Sequence, residues 1–316
     1  MSEAIERFDC LGSSCAVCVI GDGERSSAAQ AAAMAHRELR GWHAQFSRFL
    51  PDSELSRLNR DPRGQIEVSR MMALLAQAAL TAGALSDGLV DATQLQEIER
   101  AGYEGDLAAP VALQTLFELA PSRTPARADP RGRWRLLEVD IPRSALRRPP
   151  GVGLDSGGLA KGLFADVLAE RLAGRASFAV NCGGDLALGG SESRVRPVEV
   201  QSPFDGQTLH TFELTRGGVA TSGIRRRSWI DGEGRPGHHL LDPATGRPAF
   251  TGIVQASALA PSALLAEVYA KAAILAGPRA ARSWLPHGGV IVLDDGSHEV
   301  LPAAPVVSLS ELSAYA

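Results

Sequence analysis

The sequence predicts an α+β protein, mostly antiparallel sheets with helices packed against them. Three observations carry this. The 316 residues allow one large domain or two intimate lobes. Strand-like stretches come in runs with helical stretches between the runs, whereas a wound parallel sheet needs regular alternation. Hydrophobic residues make up 45% and charged residues 22%, which suits a large core and excludes a disordered or fibrous chain.

The elements follow in order. Phe8–Gly21 is apolar with small residues and reads as a strand or hairpin edge. Ala28–Phe46 has helical spacing, with Met34, Leu39, Trp42 and Phe46 on the core side. Pro51-Asp52-Ser53 is a turn that opens a short helix. Val68–Ala82 reads as a second amphipathic helix that Gly83 ends, and Ser86–Thr93 as a polar loop. From about 121 to 150 the chain is rich in Pro and Arg around one strand, Trp134–Asp140. That stretch is the expected lobe boundary within a single domain of residues 1–316, its arginines on a solvated surface. Gly151–Gly158 leads into a helix, Leu159–Leu172. The strands Phe178–Asn181, Val195–Gln201, Leu209–Leu214 and Gly218–Thr221 come next. Ile253–Leu259 is a strand that Pro261 ends; a helix, Ser262–Leu275, a helix end at Ser283–Leu285 and a strand, Gly289–Leu293, close the series.

The net charge of −4 gives no basic nucleic-acid footprint. No apolar run approaches the roughly 18–20 residues of a membrane helix. The start, MSEAIERFDC, has neither a basic region nor an apolar one after it, so a cytoplasmic location is expected. Cys15-Ala16-Val17-Cys18 is formally C-x-x-C, but Cys10 and Cys182 do not form a second pair, and the stretch reads as a buried strand. Core filling is therefore preferred to a metal or redox role. Only two of the 32 cationic residues are lysine, Lys161 and Lys271. A lysine in such a chain points to a site that suits a compact charge better than a planar fork, with chance as the alternative.

Rossmann, P-loop, nucleophile-elbow and H-E-x-x-H motifs do not occur. Five other clusters stand out. Leu154-Asp155-Ser156-Gly157-Gly158-Leu159-Ala160-Lys161 puts paired glycines before a helix, where bare N–H groups and a lysine can face an anion and Asp155 a sugar or base edge. An aspartate N-cap with a glycine turn explains much of the same pattern. Asn181-Cys182-Gly183-Gly184-Asp185 permits close approach of a ligand, or is a plain hairpin turn. Thr221-Ser222-Gly223 followed by Arg225-Arg226-Arg227 suits a phosphate contact, or is a strand end with solvated charge. His238-His239 precedes the turn residues Asp242-Pro243-Ala244-Thr245-Gly246, and a histidine there can serve as general base. Glu267 and Lys271 lie at i and i+4, the favourable order for a helix ion pair.

In this order the clusters resemble the ApbE family, the FAD:protein FMN transferases, from about Phe8 to Gly277. Leu11-Gly12-Ser13, the run from Phe46 to Asn59 (FSRFLPDSELSRLN) and the run from Ser86 to Asp91 (SDGLVD) add to the match. The resemblance implies a T-fold-like α+β scaffold that cleaves the pyrophosphate of FAD, releases AMP and attaches FMN through a phosphoester to a Thr or Ser of an acceptor protein, with Mg2+ on the pyrophosphate. It also carries site residues over. Leu11 stands where a methionine usually contacts FAD, and Phe49 where an aromatic packs on it. Leu89, Val90 and Asp91 match a stretch touching the nucleotide, Asp155 the FAD-binding aspartate, and Leu241 a residue lining the site. Lys161 reaches the flavin nucleotide, His239 is the matching base, and Gly158 offers a carbonyl to the metal.

The pattern departs in the last helix. The family usually has Asp, then Thr four residues later, as metal ligands; Glu267 and Lys271 stand there instead. The expectation is that Lys271 pairs with Glu267 or the pyrophosphate and weakens metal dependence. An FAD pyrophosphatase releasing FMN and AMP, and a non-catalytic FAD-binding protein, are the alternatives to transfer.

Overall fold

The computed structural model describes residues 3–105 and 110–304. Eight strands form one sheet whose spatial order is the chain order: β1 (Glu3–Cys10), β2 (Ser13–Ile20), β3 (Ser177–Cys182), β4 (Asp185–Gly189), β5 (Gly217–Gly223), β6 (Ile253–Ala260), β7 (Gly289–Leu293) and β8 (His298–Leu301). Every neighbouring pair is antiparallel. With the seven α-helices among the described residues, α1 (Ala28–Phe46), α2 (Glu54–Arg60), α3 (Arg70–Leu85), α4 (Leu95–Arg100), α5 (Leu113–Leu119), α6 (Ala160–Leu172) and α7 (Ala263–Ala276), this is the α+β architecture the sequence predicts.

Local chemistry fixes the helix starts. Ser27, Ser53, Ser69 and Ser262 each accept a hydrogen bond from the backbone N–H three residues on, capping α1, α2, α3 and α7. Helix α1 packs on β1 and β2, α6 on β3 and β4, and α7 on β5 and β6. Strand β6 is buried along its whole length, which explains why small and apolar residues fill it except at Gln255, whose amide donates to the Gln201 carbonyl at 2.7 Å. Gly162 lets α6 cross α7 closely: a Cβ there would lie 2.8 Å from the Ala263 carbonyl oxygen. Asp166 of α6 then accepts from the Ala263 and Leu264 N–H groups at 2.7 and 2.9 Å, fastening α7 by its N-terminus.

Four features depart from the pattern-based expectation. Gly83 does not end α3; it lies inside it, because any side chain there would collide with the Trp134 ring. Trp134 itself belongs to a 3-10 turn, Arg133–Leu136, and the strand is shortened to Glu138–Asp140. Arg148, in the supposedly solvated arginine-rich stretch, is 1% exposed and donates to the Leu58 and Asp61 carbonyls. Short helices α4 and α5 also appear where no signal pointed to them.

Strand geometry settles the C-x-x-C question. Cys15 and Cys18 both lie in β2, three residues apart, so their side chains leave opposite faces of the sheet. Cys15 and Cys182 are buried, and burial pushes both thiols up, Cys15 to about 11. These are core thiols. No helix among the described residues is long and apolar enough to cross a membrane.

Candidate active site

One end of the sheet collects the glycine corners. The β1–β2 and β3–β4 loops are each two residues long, Leu11-Gly12 and Gly183-Gly184, and all four have positive φ, as a type I′ hairpin turn requires. The pairing of Cys15 with Cys182 sets the two turns side by side. Gly183 touches Ser13 so closely that a Cβ would stand 2.5 Å from the serine Cβ. Leu11 holds its left-handed φ of 57° without being glycine, a strained conformation of the kind that clusters at ligand sites.

Beside these turns lies a cavity of about 440 Å³. Leu11, Phe49, Leu89, Val90, Asp91, Asp155, Gly158, Lys161, His239, Leu241 and Lys271 all line it. Of the twelve residues singled out from the sequence, only Glu267 stands behind the wall, 1% exposed. The cavity also draws in Arg48 and Tyr103, which the sequence reading did not assign, and Arg226 and Arg227 from the arginine run it weighed between a phosphate contact and solvated charge.

Each wall has a local cause. Asn59 holds the segment before α6 in place, accepting from Leu154 N–H and donating to Leu154 C=O, both at 2.8 Å. Ser156 donates to the Phe46 carbonyl at 2.8 Å, joining that segment to the end of α1. Asp155 does not cap α6: the helix has Leu159 as N-cap and no side-chain capping bond. Its carboxylate instead accepts from Gly157 N–H at 3.3 Å and lies 3.5 Å from Arg48 Nε. The Arg48 guanidinium packs 4.4 Å from the Phe49 ring centre and 4.6 Å from that of Tyr103. Tyr103 in turn stacks on Trp229, centroids 5.5 Å apart. An aromatic shelf with a cation over it thus forms one wall. On the loop after α3, buried Ser86 accepts from Val90 N–H at 2.9 Å and so presents Leu89–Asp91 to the cavity. Burial pushes the Asp91 carboxyl up, against two bonds from Thr93.

Other lining residues are cationic. Lys161 Nζ lies 3.0 Å from Asp185 Oδ2, and Lys271 Nζ 2.8 Å from Glu267 Oε1. Arg226 and Arg227 line the cavity as well. Half-buried His239 follows a short strand, Pro236–His238, and its N–H donates to the Arg227 carbonyl at 3.2 Å. Burial, then the Arg227 guanidinium, His238, Lys271 and Lys161, hold its pKa well below 6.5. The imidazole is therefore neutral at neutral pH, and its Nδ1 has no hydrogen-bond partner among the described residues.

Gly158, Glu267 and Lys271, the trio implied for magnesium, do come together: the Cβ position of Gly158 is 3.6 Å from Lys271 Cε. The donor set does not fit a divalent ion. Glu267 spends Oε1 on the Lys271 ammonium and Oε2 on Gly162 N–H at 3.0 Å. Burial pushes its carboxyl up, and Lys271 opposes that shift. Among the described residues no group of three or more His, Cys, Asp or Glu is placed to hold a metal.

Known proteins match this fold and sequence. The chain is 27% identical to an FAD:protein FMN transferase of Salmonella typhimurium over 292 residues, 89% of this chain and 81% of that protein. It is 30% identical to an FAD:protein FMN transferase of Rhodobacter capsulatus over 82% of this chain, and spans 49% of that longer protein. The crystal structure of the ApbE protein of Thermotoga maritima superposes with a TM-score of 0.75 at 23% identity, covering 95% of this chain and 97% of that one. The flavin transferase ApbE of Vibrio cholerae does so with a TM-score of 0.70 at 21% identity, covering 99% of both. These two likenesses carry the fold. The sequence profile described as the ApbE family matches residues 11–293, and the chain belongs to that family.

Proposed function

We propose that this chain is an FAD:protein FMN transferase. The observation that carries the reading is convergence: a neutral histidine, cationic side chains and an aromatic shelf, distant in sequence, face one cavity. A dinucleotide needs all three kinds of surface. Its rings take apolar walls such as Phe49, Leu11 and Leu241, and its diphosphate takes fixed positive charge. Asp155, free of any capping duty, accepts hydrogen bonds from the nucleotide, and Leu89–Asp91 line its path.

The reaction follows from these placements. The hydroxyl of an acceptor Thr or Ser attacks the flavin-side phosphorus. A P–O bond forms there, and the bond from that phosphorus to the bridging oxygen breaks; AMP leaves with the electron pair. His239 takes the hydroxyl proton, for which it must be neutral beforehand. Lys161 and the neighbouring arginines face the charge that grows on the phosphate oxygens.

The test is to incubate the purified chain with FAD and a flavin-accepting protein domain. The expected result is an acceptor heavier by FMN less water, with one AMP released per modification. AMP without a modified acceptor identifies a pyrophosphatase, and bound FAD without AMP a binding protein; either result overturns the transferase reading.

A further inference from the structure

The chain has only two lysines, and both end in this one cavity. Each is tethered to a carboxylate that is 1% exposed: Lys161 to Asp185 and Lys271 to Glu267. Lys271 is itself 9% exposed. An ammonium carries three donors. One goes to Glu267 Oε1 at 2.8 Å, which leaves two on a residue that lines the cavity. Mg2+ demands a near-octahedral set of oxygens at about 2.0–2.1 Å. The local acid that would start such a set, Glu267, has both oxygens occupied by N–H donors. A compact, permanently attached charge thus stands where a free ion would have to be captured.

We propose that Lys271 is a built-in cation for the diphosphate of the bound dinucleotide, so that this chain binds FAD without a divalent metal. The inference rests on the transferase reading for the identity of the ligand and goes beyond it in assigning the charge that meets the diphosphate. Glu267 is then a positioning residue: it fixes the ammonium's direction through Oε1 and is itself fixed by Gly162 N–H.

The experiment is FAD binding by the full chain, followed by flavin fluorescence, first in EDTA and then with magnesium titrated in. Wild type is expected to bind in EDTA, with Kd changing less than about twofold on adding magnesium. Lys271→Met keeps the length of the side chain and removes its charge; it is expected to weaken FAD binding in EDTA at least about tenfold, while riboflavin, which has no diphosphate, binds as to wild type. Lys271→Arg retains charge and guards against a merely misfolded Met variant; it is expected to fall between the two, and a thermal melt confirms that each variant is folded. Wild-type binding that tightens about tenfold or more with magnesium overturns the inference alone, as does FAD affinity unaltered in Lys271→Met. Failure of wild type to bind FAD under either condition overturns the transferase reading, and this inference with it.

Discussion

The ammonium of Lys161, in the first turn of α6, lies 3.0 Å from Oδ2 of Asp185, the first residue of β4, and neither oxygen of that buried carboxylate has a hydrogen-bond partner among the described residues. The pair ties the glycine segment before α6 to the Gly183-Gly184 corner. Its burial makes it asymmetric. Removing the lysine charge leaves a carboxylate stranded in the core, which costs about 3–5 kcal/mol. Lys161→Met is therefore expected to lower unfolding stability by roughly 3 kcal/mol, and adding Asp185→Asn to recover a substantial part of that loss. Urea denaturation of the two single variants and the double variant measures it. A double variant whose loss equals the sum of the two single losses would show that the contact carries no coupling.

His239→Ala is expected to cut FMN transfer by about 10²–10⁴-fold, the usual worth of a general base, while FAD affinity stays within a few-fold of wild type. The pH profile separates a base from a filler. The environment of His239 favours the neutral form and holds its pKa well below 6.5. The imidazole thus remains able to accept a proton below the pH at which a free histidine would be charged. Transfer by wild type is expected to persist through pH 6, with its acid limb lying lower. An acid limb centred near 6.5 that disappears in no variant of His239 would contradict the assignment.

Asp155→Ala separates ligand binding from helix capping. Because α6 has no side-chain capping bond, losing this carboxylate should change stability by less than about 1 kcal/mol, the typical worth of an N-cap. It should weaken FAD binding by roughly tenfold or more, as expected for a hydrogen bond to a charged group. Thermal melts and FAD titration of the same preparation read both. A large drop in melting temperature with unchanged affinity would return Asp155 to a structural role.

What was legible in the sequence had local causes. The apolar spacing of Ala28–Phe46 made α1 readable at both ends, and Ser53 marked the start of α2. The glycine corners were readable because two-residue turns with positive φ favour glycine there. What stayed hidden was tertiary. Gly83 looked like a helix end, and only the arrival of Trp134 from a distant segment shows why a glycine belongs inside α3. Helices α4 and α5 lack side-chain capping bonds and so carry no start signal. Arg48 and Tyr103 join the site through a cation packed against two rings, which leaves no pattern along the chain, and Asp185 closes a cluster visible in the sequence but meets Lys161 only in the folded protein.

His238 offers a test of burial rather than chemistry. It is fully buried, packs its ring edge-on against Phe250 with centroids 4.7 Å apart, and accepts from Leu240 N–H at 3.3 Å through Nδ1. That acceptor role requires a neutral ring, and burial pushes the pKa down to about 3. An unfolded histidine takes a proton near pH 6.5, whereas the folded one resists until about pH 3. The unfolded state therefore binds more protons in between. The contribution of the neutral ring is complete above pH 6.5 and is lost progressively as pH falls toward 3. His238→Asn keeps an acceptor for Leu240 but does not titrate. It is expected to be less stable than wild type at pH 7.5, since it leaves a cavity beside Phe250. The gap should then close by on the order of 1.4 kcal/mol for each pH unit below 6.5, because only wild type pays the linkage. Urea unfolding of both proteins at pH 7.5, 6 and 5, pH values of about neutral to mildly acid, follows the gap directly. A gap that stays constant across that range would show that His238 takes up its proton in the folded protein as readily as in the unfolded one.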